Sequence, residues 1–137
     1  MQYVETAHIT AAQRQDTREK LWEYNLTFLE DNDPKDLGIF VKGESENVVG
    51  SLIGWTLGQW LTIDYLWVDE AFRGREIGSE LLLRTEAAAE QRGCRHVFLD
   101  TMQFQAPAFY EKHGYQQIFV LDEYPLTGKR YYYRKTL

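Results

Sequence analysis

Apolar residues recur along the chain with two different periods. Between Thr10 and Glu30, the positions Leu21, Trp22, Leu26, Phe28 and Leu29 fall at helical spacing behind a polar, charged stretch, which predicts one helix, or two if it breaks. Asp33-Pro34 stops it, and Leu37 to Lys42 resumes as a short strand. Gly43 to Asn47 reads as a turn, so Val48 to Leu57 is expected to form a hairpin with that strand. Gly58-Gln59 then turns the chain into Trp60 to Val68, which gives three antiparallel strands in succession. In this third strand Leu61, Ile63, Tyr65 and Trp67 alternate with Thr62, Asp64, Leu66 and Val68. Both faces are largely apolar, which predicts a central strand and makes Asp64 conspicuous.

Ile77, Leu81, Thr85 and Ala88 mark one face of a second helix, widened by Leu82 and Ala89, supported by a Glu80–Arg84 pair and ended by Gly93. His96 to Thr101 is the next strand, and a short helix follows from Ala106 to Lys112 with Pro107 in its first turn. Tyr115 to Leu121 and Arg130 to Lys135 are closing strands around a loop with Pro125 and Gly128. The resulting order, helix, three strands, helix, strand, helix, two strands, is that of an α/β protein without internal repeats. Trp22, Tyr24 and Phe28 are expected between helix and sheet, and Tyr131-Tyr132-Tyr133 is expected to place aromatic rings on alternate faces of the last strand.

Composition narrows the function classes. A chain of 137 residues with 44% hydrophobic residues predicts one folded domain, residues 1–137. The N-terminus, Met-Gln-Tyr-Val-Glu-Thr, lacks the basic and apolar regions of a signal peptide, so a soluble, cytoplasmic protein is expected, with no membrane partner. The net charge of −6 disfavours a nucleic-acid partner, because such affinity depends on neutralising many phosphates. The single cysteine, Cys94, excludes an internal disulfide and reads as a small buried hydrophobe. His8, His96 and His113 have no metal-ligand spacing, so no metal is expected. The acidic cluster Glu30, Asp31, Asp33 and Asp36 reads as a solvated loop.

The strongest chemical signal is the turn between Val68 and the second helix, Arg73-Gly74-Arg75-Glu76-Ile77-Gly78-Ser79. A helix start offers unpaired amides and a partial positive charge, glycines admit a ligand close to the main chain, and arginines add charge-assisted donors. That combination suits a phosphate. The turn lacks Gly-Lys-Ser/Thr after its glycines, which argues against a P-loop nucleotide site.

Together with a second segment, Gln105-Ala106-Pro107-Ala108-Phe109-Tyr110-Glu111-Lys112-His113-Gly114-Tyr115, this turn resembles the two motifs of the GNAT N-acetyltransferase superfamily, Gln/Arg-x-x-Gly-x-Gly/Ala and Asn-x-x-Ala-x-x-x-Tyr-x-x-x-Gly-Phe. The likeness runs from the first helix to the last strand. It implies a GNAT-like acyl-CoA N-acyltransferase fold: a mixed, mostly antiparallel sheet, splayed at its central strands and flanked by helices. It further implies acetyl-CoA as co-substrate, a primary amine of a small molecule or peptide as acceptor, and the homodimer common among such proteins. Main-chain groups of Leu66, Trp67 and Val68 would hold the pantetheine arm, and Arg73, Gly74, Arg75, Glu76, Ile77, Gly78 and Ser79 the diphosphate. Thr101 ends the second strand of the splay, and Gln105, or Gln103 beside it, would supply an amide contact. Glu76 stands where the loop usually has glycine, and its carboxylate is expected to point to solvent or to pair with Arg73 or Arg75.

The reaction sets requirements of its own. A lysine-like amine, with a pKa near ~10.4, must lose a proton before it attacks a thioester. Asp64 is the candidate base, on a face expected to include Leu66, Val68 and the water-positioning Thr62. Glu70 is the alternative base, although its place beside the basic turn predicts a salt bridge. Resemblance assigns Tyr110 as the acid that meets the leaving thiolate, and at ordinary pKa values that transfer is uphill by about 2 kcal/mol. A non-catalytic acyl-CoA-binding or protein-interaction module on the same fold is the competing reading.

Overall fold

The computed structural model describes residues 1–137, which divide into two compact units, Met1–Asn32 and Asp33–Leu137. The first contains α1 (Ala11–Leu26). Thr10 starts it with a reciprocal cap: its hydroxyl accepts from the Gln13 N–H at 3.0 Å, while the Gln13 side chain accepts from the Thr10 N–H at 2.9 Å. No residue of α1 is buried, and Tyr24 and Phe28 are exposed at 65% and 74%. Tyr24 and Phe28, expected in a core, are thus in solvent, while Trp22 is half-buried. α1 is one unbroken helix, and the chain leaves it through a turn at Thr27–Phe28, before the expected stop at Asp33-Pro34.

The second unit is a six-stranded sheet with helices α2 (Ile77–Gln91) and α3 (Pro107–Lys112). The strands are β1 (Lys35–Lys42), β2 (Val48–Leu57), β3 (Trp60–Val68), β4 (His96–Met102), β5 (Gln116–Asp122) and β6 (Lys129–Thr136), in the spatial order β1-β2-β3-β4-β6-β5. Every pairing is antiparallel except β3 with β4. The core joins one face of this sheet to both helices through Leu52, Leu61, Leu81, Leu82, Val97 and Leu99, with Tyr110, Tyr115 and Tyr133. Tyr133 is fully buried and Tyr132 stacks on Phe98 of β4, as alternation along β6 requires. Cys94 is buried and reduced. No helix is long and apolar enough to cross a membrane.

Two irregularities in β3 position the site. The β2–β3 register shifts between Ile53 and Gly54, which pair with Tyr65 and Ile63. Asp64 is thus the extra residue of a β-bulge, and the strict alternation expected for β3 does not hold. Beyond the bulge Leu66 and Val68 pack against the core like Leu61 and Ile63 before it, and Tyr65 and Trp67 are exposed. Asp64 is exposed and does not continue the Leu66 and Val68 face as expected. The parallel pairing of β3 with β4 runs from Trp60↔His96 to Ile63↔Leu99 and ends there. β4 nevertheless stays paired to β6 as far as Met102↔Arg130, and β3 to β2 as far as Val68↔Gly50. The two central strands therefore part at Asp64, each held from its other side.

Glycine permits the bulge, since a Cβ at Gly54 would strike the carbonyl oxygen of Thr62 on β3. Gly54→Ala is expected to lower stability in urea denaturation by about 1–3 kcal/mol. Gly50→Ala, which would press on the movable Ile77 side chain at 3.1 Å, should cost less.

Candidate functional site

The end of β3 leads into the basic, glycine-containing turn through a short 3-10 helix, Glu70–Phe72, which Asp69 caps by accepting from the Ala71 N–H at 2.9 Å. Gly74 follows at φ +82°, and Glu76 lies in the left-handed region at φ 59°, ψ 21° immediately before α2. This conformation gives a physical reason for glycine at position 76 in the family pattern, because a side chain there is strained. Glu76 is solvent-exposed and offers α2 no side-chain cap, so the first amides of the helix are left for an acceptor from outside the protein. It forms no ion pair with either arginine. Arg75 lies over the Phe72 ring at 5.0 Å, and Arg73 Nε donates to the Val68 carbonyl at 3.3 Å, across the strand exit. Glu70 starts the 3-10 helix and forms no salt bridge, contrary to expectation.

Three elements converge on Gly78. A Cβ there would lie 3.6 Å from the Phe109 ring on α3 and 3.8 Å from a Val68 methyl on β3. The start of α2, the free end of β3 and α3 thus meet at one place. On α3, Tyr110 is only 7% exposed, with Phe109, Tyr115 and Tyr133 at ring-centroid distances of 5.2, 5.7 and 6.3 Å. Its hydroxyl has no hydrogen-bond partner in the protein. Burial, and secondarily the negative charge of Asp100, push its pKa up to about 12. Tyr110 is therefore a phenol that holds its proton throughout the neutral range and can only donate or share it. Tyr133 is likewise pushed up to about 12, by burial and then by its 3.1 Å hydrogen bond to Glu111.

Thr101 and Gln105 lie on the β4 side of the gap and are occupied with each other. Gln105 Oε1 accepts from the Thr101 hydroxyl at 3.2 Å and the Met102 N–H at 2.7 Å, which leaves only its NH2 group for a ligand. Gln103 is exposed, and its N–H donates to the Lys129 carbonyl at 3.0 Å. Ser79, in the first turn of α2, is 2.9 Å from His113 Nε2. The sequence reading placed His113 within the second motif and weighed it as a metal ligand, and gave Asp100 no role. The legible signals were the position of His113 three residues after Tyr110 and a carboxylate in the apolar strand His-Val-Phe-Leu-Asp-Thr. Asp100 is held by Arg130 at 2.8 Å, whose guanidinium lies over the Tyr124 and Tyr132 rings.

Residues 2–115 match the profile of the Acetyltransferase (GNAT) family. The chain belongs to that family. A blasticidin-S acetyltransferase of Streptomyces morookaense is 43% identical over 84 residues, which cover 61% of this chain and 62% of that one. A crystal structure from Agrobacterium tumefaciens superposes with a TM-score of 0.91 at 32% identity, over 100% of both chains. A Bacillus anthracis chain solved in complex with acetyl coenzyme A shares the fold at a TM-score of 0.66 and 17% identity, covering 77% of this chain and 65% of its own. The GNAT fold accounts for the mixed six-stranded sheet, and no cluster of His, Cys, Asp and Glu in it could hold a metal ion.

The buried tyrosines give this GNAT chain a defined alkaline response. Unfolded phenols ionise near ~10, whereas Tyr110 and Tyr133 hold their protons to about 12. Between those values the folded state binds more protons than the unfolded one, so stability falls as pH rises. Thermal melts should show these tyrosines contributing no pH dependence below about pH 9 and a falling midpoint from about pH 10 to 12. In Tyr110→Phe that fall should be shallower.

Proposed function

We propose that the protein is a cytoplasmic N-acetyltransferase that moves the acetyl group of acetyl-CoA to a primary amine of a small molecule, by direct attack within a ternary complex. The observation that carries this reading is the convergence at Gly78 of a bare helix start, an unpaired strand edge and the helix bearing an unpartnered tyrosine hydroxyl. The pantetheine arm carries amides, which suit the open edge at Leu66, Trp67 and Val68. The diphosphate suits the amides of residues 74–79, with Arg73 and Arg75 adding positive charge. Gln105 keeps an NH2 group for the coenzyme beside Thr101. The similarity to a blasticidin-S acetyltransferase favours a small-molecule acceptor over a peptide.

In this reading the amine loses a proton to Asp64, through water, where β3 leaves β4. Its lone pair attacks the thioester carbon, and a backbone N–H near Val68 stabilises the oxyanion. The carbon–sulfur bond then breaks, and the thiolate meets the Tyr110 hydroxyl. From a pKa of about 12 to a thiol near ~8.5, complete transfer is uphill by about 5 kcal/mol. That exceeds the cost expected for an ordinary tyrosine. Tyr110 therefore acts chiefly as a hydrogen-bond donor to the departing sulfur, with solvent completing the protonation.

Tyr110→Phe should lower kcat about 100-fold while changing the dissociation constant of acetyl-CoA less than about twofold, in a thiol-release assay paired with calorimetry. An unchanged kcat would remove Tyr110 from the mechanism. In the wild type, kcat/KM should show no alkaline fall from this tyrosine below about pH 11, because its pKa is about 12.

Glu76 favours a second reading, a module that binds acyl-CoA without turning it over, since its carboxylate stands at the phosphate cradle. Glu76→Gln should tighten acetyl-CoA binding a few-fold at low salt, and less at high salt. Heat on acetyl-CoA binding without thiol release against a panel of amines would select this second reading.

A further inference from the structure

We propose that His113 is a positioning residue that passes a hydrogen bond through Ser79 to the coenzyme diphosphate and so ties coenzyme binding to the helix carrying Tyr110. The inference rests on the acetyl-CoA reading above and assigns a role to a side chain outside the set that reading uses.

Ser79 belongs to α2 and His113 directly follows α3, 34 positions later, yet their side chains meet at 2.9 Å in a partly buried setting. The His113 N–H donates to the Phe109 and Tyr110 carbonyls at 3.3 and 3.0 Å, which fixes the residue one turn beyond Tyr110. Its ring lies 4.7 Å from that of Phe109, which in turn meets Tyr110 edge-on at 5.2 Å and fills the space over Gly78. One hydrogen bond therefore joins the start of α2, where a diphosphate would sit, to the helix that presents the tyrosine.

Proton counting gives the bond a direction. Ser79 has one hydroxyl proton, and a phosphate oxygen can only accept. When Ser79 donates to the diphosphate, its bond with His113 persists only if Nε2 becomes the donor. The imidazole ring meets this whenever Nε2 carries a proton. A hydroxyl that accepts from an N–H is in turn a stronger donor, and its rotamer is already set. Packing on Phe109 alone would need no nitrogen and would be met by leucine.

The test compares kcat/KM for acetyl-CoA with kcat/KM for acetyl-pantetheine, which lacks the diphosphate. In His113→Leu the ratio should fall about tenfold, because Ser79 loses the donor that orients its hydroxyl toward the charged diphosphate. Ser79→Ala should reproduce the fall, the double variant should add little to either, and His113→Gln, whose amide can donate, should recover most of it. Calorimetry with acetyl-CoA should show the same order of affinities. An unchanged ratio in His113→Leu would overturn the proposal, whether both donors lose alike, as for plain support of α3, or neither does. Losses that multiply in the double variant would overturn it too. Wild-type protein that binds acetyl-CoA without turnover would instead defeat the transferase reading, and the affinity series would still decide the role of His113.

Discussion

The molecule is organised around a parallel strand pairing that stops early. β3 and β4 share a ladder only from Trp60↔His96 to Ile63↔Leu99, while each is held along its full length by its other neighbour. An open edge inside a sheet leaves backbone donors and acceptors without strand partners, which is costly unless something else satisfies them. The bulge at Asp64 sits next to the last shared pair. Because a bulge sharpens local twist, it turns the remaining residues of β3 out of the β4 ladder and keeps them paired to β2. Gly54 makes this possible by leaving room for the Thr62 carbonyl. The functional reading therefore begins with backbone geometry, and its side chains are placed by it.

The second consequence is electrostatic. The chain carries a net charge of −6, yet the strand exit delivers Arg73, Arg75 and an uncapped helix start to one spot. Behind it, Tyr110 is packed among aromatic rings, and its burial, with a smaller contribution from Asp100, keeps the phenol protonated. A cradle for an anion and a donor that cannot ionise at neutral pH thus lie on the two helices that meet at Gly78. That arrangement fits a thioester coenzyme whose diphosphate stays bound while its sulfur gains charge.

Much of this was legible in the sequence because it depends on local patterns. The spans of β2 and β3, the hairpin turns and the arrest of α2 at Gly93 follow from alternation and from glycine, and the two motifs named the family before any geometry was known. What escaped depends on the third dimension. Alternation along β3 predicted a face for Asp64, but a bulge inserts a residue without leaving a mark in a one-strand pattern. Apolar spacing before Glu30 predicted a buried face, yet Tyr24 and Phe28 stand in solvent, Phe28 beyond the end of α1. The left-handed Glu76 and the Ser79–His113 contact could not be read at all, since a backbone angle and a contact across 34 positions have no local signature.

Backbone amide hydrogen exchange, with and without acetyl-CoA, tests the open edge most directly. The account predicts fast exchange in the free protein at the β3 amides beyond Asp64 that face the gap and at residues 77–79, with strong slowing at both places when the coenzyme is added. Full protection of that edge in the free protein, or no slowing at either place at saturating acetyl-CoA, would contradict it.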